Sequence, residues 1–222
     1  MAGFTYATLT TAIQNYTEVD ANVLTSTITD QFIDNAEMKI LRDVPLDAYK
    51  KQSIGNLVTG QTTINVPAKT TFVKGVQVYT STSAATGANA WLEKKDETYL
   101  QEYIPAETAT GTPKYYGIYD VDTFIIAPTP DSSYASELHY FFRPASLTAA
   151  GDSGTTWLSE NAKFCLLYGC LVEAYTYMKG EADILAEYNK RFSEAVIALK
   201  MFGEAKEPQD IYRTGQVIRQ RQ

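Results

Sequence analysis

Histidine is almost missing from this 222-residue chain, which carries one, His139. That removes the histidine pairs on which zinc hydrolases and most acid–base dyads depend, and no H-E-x-x-H occurs. His139 itself falls in the run "SELHYFFRP", where alternation gives it one face of a strand and no nucleophile motif stands nearby. Cysteine is scarce too. Cys165 and Cys170 stand five residues apart in one apolar helical stretch, without a further Cys or His at zinc-finger spacing. They read as small buried core residues. Positive charge is also short: 19 Lys and Arg against 26 Asp and Glu give a net charge of −7. A general phosphate-backbone binder would need a broad basic face, which this balance argues against. Long apolar runs are absent as well. The longest uncharged one, "FCLLYGCLV", is too short to span a bilayer, and "MAGFTYATLTTAIQNY" has no basic stretch followed by an apolar one. A soluble, intracellular product without a membrane segment is expected.

The glycines form no phosphate cradle. "GTPKYYG" and "GDSGTTW" lack the Lys-Ser/Thr a P-loop needs after its glycines, and neither has a strand before it and a helix after it. The carboxylates are scattered over helix faces and turns. No catalytic residue, metal ligand or cofactor site is assigned, and the chain reads as a non-enzyme.

What is present is a well-patterned chain, 45% hydrophobic and long enough to bury roughly 70% of its unfolded surface without staples. Tyr6, Leu9, Ala12, Ile13 and Tyr16 recur at helical spacing as one inward stripe. Ile28, Phe32, Ile33, Ala36, Ile40 and Leu41 repeat the pattern, with Thr27 or Thr29 as N-cap, Asp30 near the positive helix end, and Pro45 as the stop. From about Gln52 the period changes to two. "GNLVTGQTTINVP" reads as two short strands around Thr59-Gly60, "FVKGVQVYT" as a third and "NAWLEKKD" as a fourth beyond a Ser/Ala/Gly-rich loop. "DETYLQEYIP" gives one or two helical turns ended by Pro105. "PKYYGIYDVDTFIIAP" is a hairpin of Tyr115–Tyr119 and Thr123–Ala127, and "SELHYFFRP" is a further strand. A third helix is expected from Ser159 to about Met178, ending at Gly180. Its middle, Phe164 to Val172, is apolar on every side, so it must be covered all round. A fourth helix, from about Glu181 to Phe202, shows the stripe Ile184, Leu185, Tyr188, Phe192, Val196, Leu199 and an i, i+4 pair of Glu187 with Arg191 on its wet face. Gly203 is its expected C-cap.

The fold class that follows is α+β: a four-helix bundle of two N-terminal and two C-terminal helices, interrupted by a small antiparallel β domain. The boundaries are 1–50 for the first bundle part, 51–147 for the β domain, 148–203 for the second bundle part and 204–222 for a C-terminal arm.

Aromatic residues crowd the β domain: Tyr115, Tyr116, Tyr119, Tyr140, Phe141 and Phe142. Two uses are open to them. They fill the faces of a small sheet, one of which meets a neighbour, with Tyr115, Tyr116, Tyr119 and Phe141 as inter-subunit or tail-side surface. Alternatively they form a stacking platform for sugar or single-stranded nucleic acid, although these strands lack the interleaved Lys and Arg that the nucleic-acid version requires.

Three stretches, "TYATLTTAIQNYT" before "FIDNAEMKILRDV", then "TGTPKYYGIYDVDTFIIAPTPDSSYASELHYFFRPASLT", then "TTWLSENAKFCLLYGCLVEAYTYMKGEADILAEYNKRF", together resemble the head-to-tail adaptor (connector) proteins of tailed bacteriophages, the group that includes the tail tubular protein A type. The resemblance spans Thr5 to about Tyr212. It implies a virion protein of the neck, assembled in the host cytoplasm into a homo-oligomeric ring, a dodecamer, beneath the portal protein. It also implies contact with a downstream neck or tail protein, and DNA passing through the channel without specific binding. A channel lined with carboxylates would let a DNA backbone slide.

The resemblance also changes the reading of "EAKEPQDIYRTGQVIRQRQ". By composition this is a polar, unstructured end. Such adaptors dock the segment after the last bundle helix into the portal, which makes Ile211, Tyr212, Arg213, Val217, Ile218, Arg219 and Arg221 a portal-docking arm. From Ile211 onward the arm has three arginines and no acid. The competing reading is a receptor- or carbohydrate-binding module of the tail built on the aromatic β domain.

Overall fold

Helical and alternating periodicities separate into two compact units in the computed structural model, one drawn from residues before 47 and after 144, the other from residues 47–144. The structure describes residues 3–44, 46–83, 87–103 and 109–206, without the side chains of the last three. The fold is mixed α+β.

In chain order, α1 is Tyr6–Thr17 and α2 is Ser26–Asp43. Thr5 caps α1 through a reciprocal box with Thr8. The inward residues of α1 are Leu9, Ile13 and Thr17, whereas Tyr16 is exposed. A threonine takes the inner place because its hydroxyl donates to the Ile13 carbonyl, 2.9 Å away, and so leaves no orphaned polar atom. Helix α2 starts earlier than Thr27 or Thr29 would cap it. Thr25 holds the cap position, and Thr29 lies inside the helix, its hydroxyl bonded back to the Ser26 carbonyl. Val44, the residue before Pro45, is extended and closes α2. Pro45 itself lies outside the described residues.

The strands follow: β1 Lys50–Asn56, β2 Thr63–Asn65, β3 Thr70–Tyr79, β4 Asn89–Trp91 and β5 Glu93–Lys94. The seven-residue helix α3 is Glu97–Tyr103; Pro105, expected to end it, lies outside the described residues. Next come β6 Thr110–Gly111, β7 Tyr115–Ile118, β8 Thr123–Ala127, β9 Thr129–Pro130 and β10 Ala135–Phe142. Two four-stranded sheets result, ordered β1-β10-β3-β4 and β2-β8-β7-β5, beside the short pair β6-β9. The stretch around Gly60 therefore sends its two strands to different sheets, and "NAWLEKKD" splits likewise between β4 and β5.

The β7–β8 hairpin pairs antiparallel from Tyr115↔Ala127 to Ile118↔Phe124. The unit is not antiparallel throughout, because β5–β7 and β6–β9 run parallel. Parallel neighbours need a crossover, and α3 lies in the chain between β5 and β7 to supply one. Leu57, Val76, Val78, Leu92, Tyr116, Phe124, Ile126, Tyr134, Leu138 and Tyr140 make the core of this unit.

The last helices are α4 Trp157–Asn161, α5 Lys163–Tyr177 and α6 Ala182–Lys206. The expected third helix is thus two pieces, broken at Ala162, where the backbone leaves helical geometry (φ −129°, ψ 39°). Its start is set by Thr156, whose hydroxyl accepts from the Ser159 N–H while Ser159 returns the bond. The turn after α5 is left-handed at Lys179 (φ 55°), one residue before the glycine expected to end the helix. Helix α5 packs against α1, α2 and α6. Leu166, Leu167, Cys170 and Leu171 are buried in it, as are Leu9, Ile13, Ile33 and Ile40 from the N-terminal helices. Each such side chain contributes about 1.5–3 kcal/mol of burial.

Gly203 does not cap α6. The helix runs through it to Lys206, and the glycine's φ is not positive.

Candidate functional site

The apolar character of α5 is covered on most sides, but not on all. Phe164 remains 53% exposed at its N-terminal end. It borders a groove of about 470 Å³ lined by Ala162, Phe164 and Cys165 on one side and Ala195, Ala198, Leu199 and Phe202 on the other. The small alanines of α6 leave the hollow, and the aromatic rings wall it. Beyond the groove, Ile197 and Met201, one helical turn apart, are exposed on α6. Among the packed neighbours of α6, only α5 makes an extensive contact within the described residues. Ile184, expected in the inward stripe, is exposed as well. Glu187 and Arg191 pair on the wet face. The helical unit thus keeps an open apolar surface on its α5–α6 side.

Around α5 the polar groups are tied down. Tyr6 donates to Asp30 at 2.7 Å, and burial, then that carboxylate, raise its phenol above the ordinary value. Glu173 receives Lys39, and Asn35 donates to it at 3.2 Å. Buried Glu37 accepts the Leu147 N–H at 3.2 Å. Burial pushes the Cys165 thiol up to about 12 and the Cys170 thiol well above its ordinary value. These are protonated core thiols, not nucleophiles. Among the described residues no group of His, Cys, Asp and Glu is placed to hold a metal ion, and no helix is long and apolar enough to cross a membrane.

The aromatic residues of the β unit do not form one platform. β7 and β10 lie in different sheets, so Tyr115, Tyr116 and Tyr119 are not on a strand adjacent to Tyr140, Phe141 and Phe142. Tyr116 is 5% exposed and packs on Phe124 in the core of this unit. Alternation admits one of each neighbouring pair to the interior, and here Tyr116 and Tyr140 are the ones inside. Tyr115 is half-buried, edge-on to Tyr99 and Tyr103. Tyr119 is exposed at the hairpin tip, beside Val121 at 92% exposure. Asp120 fixes that tip, its carboxylate held below the ordinary value by the Thr123 side chain and by the Asp122 N–H, 2.8 Å away.

Phe141 is half-buried with Lys50 5.7 Å from its ring centre, and Phe142 has Lys51 at 3.8 Å. The lysines missing from the aromatic strand itself therefore stand on β1, brought there by pairing of Lys50 with Phe141. Sequence reasoning overlooked them because β1 and β10 lie far apart in the chain; the signal available was the Lys-Lys pair opening "KKQSIGN". The docking-arm residues Ile211, Tyr212, Arg213, Val217, Ile218, Arg219 and Arg221 lie outside the described residues.

A family model described as SU10 adaptor protein matches residues 4–219, nearly the whole chain. No individual curated protein matches it.

Proposed function

From the premise that this chain belongs to the SU10 adaptor protein family, and is a structural component of the phage virion at the head–tail junction, we propose that it forms a ring beneath the portal and continues the DNA channel. The single observation that carries this reading is the family match over residues 4–219. The open apolar side of α5 and α6 supports it: a surface with Phe164, Ile197, Met201 and Phe202 exposed is what a neighbouring copy buries. Helices α1, α2, α5 and α6 are the four-helix bundle of the ring wall in this proposal, a dodecamer by analogy with tail tubular protein A-type adaptors. The β unit then faces neighbours or the tail-side protein, with Tyr119 and Val121 at its exposed tip. Residues 204–222 are the arm that docks into the portal, its arginines meeting acidic or carbonyl groups and Ile211, Tyr212, Val217 and Ile218 entering apolar grooves. DNA passes the channel without sequence-specific contact.

The test is mass measurement of the purified chain alone and mixed with its cognate portal protein. A ring-sized species in either condition supports the proposal, and monomers in both sink it.

A further inference from the structure

Among the described residues of this acidic chain, cationic side chains gather at one end of a sheet. Three strand ends meet where the β unit begins and finishes: the start of β1, the start of β3 and the finish of β10. Pairing sets Lys50 opposite Phe141 and Lys51 opposite Tyr140, while Phe141 and Phe142 face Phe72 and Thr70 on β3. The Arg143 N–H donates to the Lys69 carbonyl at 2.8 Å, which extends the ladder by one more cationic pair. Between His139, opposite Gly75, and Tyr140, opposite Val73, the register shifts, so Lys74 is the extra residue of a bulge. Bulges redirect side chains. Here Lys74 joins Lys50, Lys51 and His139 around a hollow of about 200 Å³.

The segments 47–51, 69–74 and 141–143 hold Lys50, Lys51, Lys69, Lys74 and Arg143 against one acid, Asp47, which is paired with Lys50. Neighbouring strands lie about 4.8 Å apart, so the three strand ends that carry these charges span about 10 Å of backbone, with Lys50 and Lys51 leaving it on opposite faces. The carboxylates elsewhere on the molecule are screened beyond about 8–10 Å at ordinary salt. The formal charge of these segments is positive even though the protein is acidic, with the Glu137 carboxylate 3.5 Å from His139 as the nearest acid on β10.

We propose that this end of the sheet is a sequence-independent contact for the phosphate backbone of double-stranded DNA. Lys51, Lys69, Lys74 and Arg143 are exposed, so a polyanion can reach them. The chemistry favours a phosphate backbone over an acidic peptide. Five cations against one carboxylate match a polyanion charged at every repeat, and Lys50 and Lys51 lie over the rings of Phe141 and Phe142, which leaves Phe72 as the exposed apolar side chain at these strand ends. Lysine and arginine contacts to phosphate carry no sequence information, so the contact reads charge and spacing, not sequence. The assignment does not need the ring: it concerns one chain, and its test reads DNA binding and not oligomeric state.

The experiment is fluorescence anisotropy of a labelled duplex of about 30 base pairs with the full chain, from about 50 mM salt upward. Binding is expected to weaken with salt at a log–log slope near −3, the value for about three neutralised phosphates. Lys69→Glu with Lys74→Glu should weaken it at least about tenfold and flatten the slope by about two. Lys190→Glu with Lys200→Glu makes the same change in net charge on exposed positions of α6 and should leave binding unchanged. Lys69→Gln with Lys74→Gln repeats the test without reversed charge, and circular dichroism confirms the fold of each variant. No binding at about 50 mM salt, or equal losses from the two charge-reversal pairs, would overturn the proposal. Tighter binding of polyglutamate than of duplex would also overturn it, by reassigning the surface to an acidic protein partner.

Discussion

Gly169 sets how closely α2 and α6 approach α5. A Cβ there would lie 3.0 Å from the Ala36 Cβ and 3.1 Å from the Phe192 ring, so any side chain must push one helix away. Gly169→Leu is therefore expected to cost about 3 kcal/mol by overpacking, read as a lower urea midpoint with an unchanged slope. In Gly169→Ala the gain in helix propensity of about 1 kcal/mol opposes the crowding, so a much smaller loss is expected. A midpoint unchanged in the leucine variant would mean the three helices do not meet at this residue. The buried thiols give a second residue-scale expectation. Burial holds Cys165 neutral up to about 12 against an ordinary 9.0, and raises Cys170 and Tyr116 in the same direction. The folded state thus retains protons that the unfolded chain has lost. This contribution is complete below the ordinary thiol value and disappears as pH rises through the folded one. Between about pH 9 and 12 the Cys165 thiol lowers stability by up to about 1.4 kcal/mol per pH unit, and Cys170 acts in the same direction. Urea midpoints should accordingly fall from pH 8.5 to 11. Both cysteines should stay silent to a thiol-reactive dye at pH 8 until the protein is unfolded; rapid labelling of the native protein would refute their burial.

At the scale of elements, α6 offers the clearest test, because the expected cap at Gly203 and the observed continuous helix predict opposite effects of one substitution. A left-handed C-cap would make Gly203→Ala destabilising. A glycine inside a helix, with nothing within 4 Å of an added Cβ, makes the same change neutral or stabilising by up to about 1 kcal/mol. Thermal unfolding followed at 222 nm decides, with an unchanged or higher midpoint expected. Gly203 also illustrates what local sequence conceals. A glycine after a strong stripe signals a stop only if the polar residues beyond it do not continue the turn, and "EAK" does continue it. The β7–β8 hairpin was legible because alternation and an Asp-Val-Asp turn act over a dozen residues. The break at Ala162 was not, since alanine is a good helix former and the capping box of Thr156 with Ser159 starts a turn that ends five residues later. Pairing of β1 with β10 and of β5 with β7 depends on sheet order, which neither strand encodes alone. The apolar groove and the basic strand ends were hidden for that reason: each is assembled from segments that share no local pattern.

At the scale of the whole molecule, the open apolar side and the arm make separable predictions about assembly. Phe164→Asp with Met201→Asp places charges on two exposed positions of the helical unit, so the monomer should unfold at an unchanged temperature while ring formation is lost. Mass photometry in the presence of portal protein reads this directly, and intact rings would show that the α5–α6 side is not the contact between copies. Deleting residues 207–222 tests the arm. Leu199 is the last buried side chain among the described residues, so the deletion leaves every buried side chain of the described core in the chain. The truncated chain should therefore keep its far-ultraviolet spectrum and its unfolding midpoint. If the arm is what the portal grips, the same protein should fail to cosediment with portal particles that retain the full chain. Replacing Ile211, Tyr212, Val217 and Ile218 by serine tests whether apolar anchoring or arginine charge dominates: loss of attachment at low and high salt alike indicates the anchors, whereas salt-sensitive loss on Arg213→Gln, Arg219→Gln and Arg221→Gln indicates the charges. Undiminished cosedimentation after the full deletion would move portal attachment to the folded units and end the docking-arm reading.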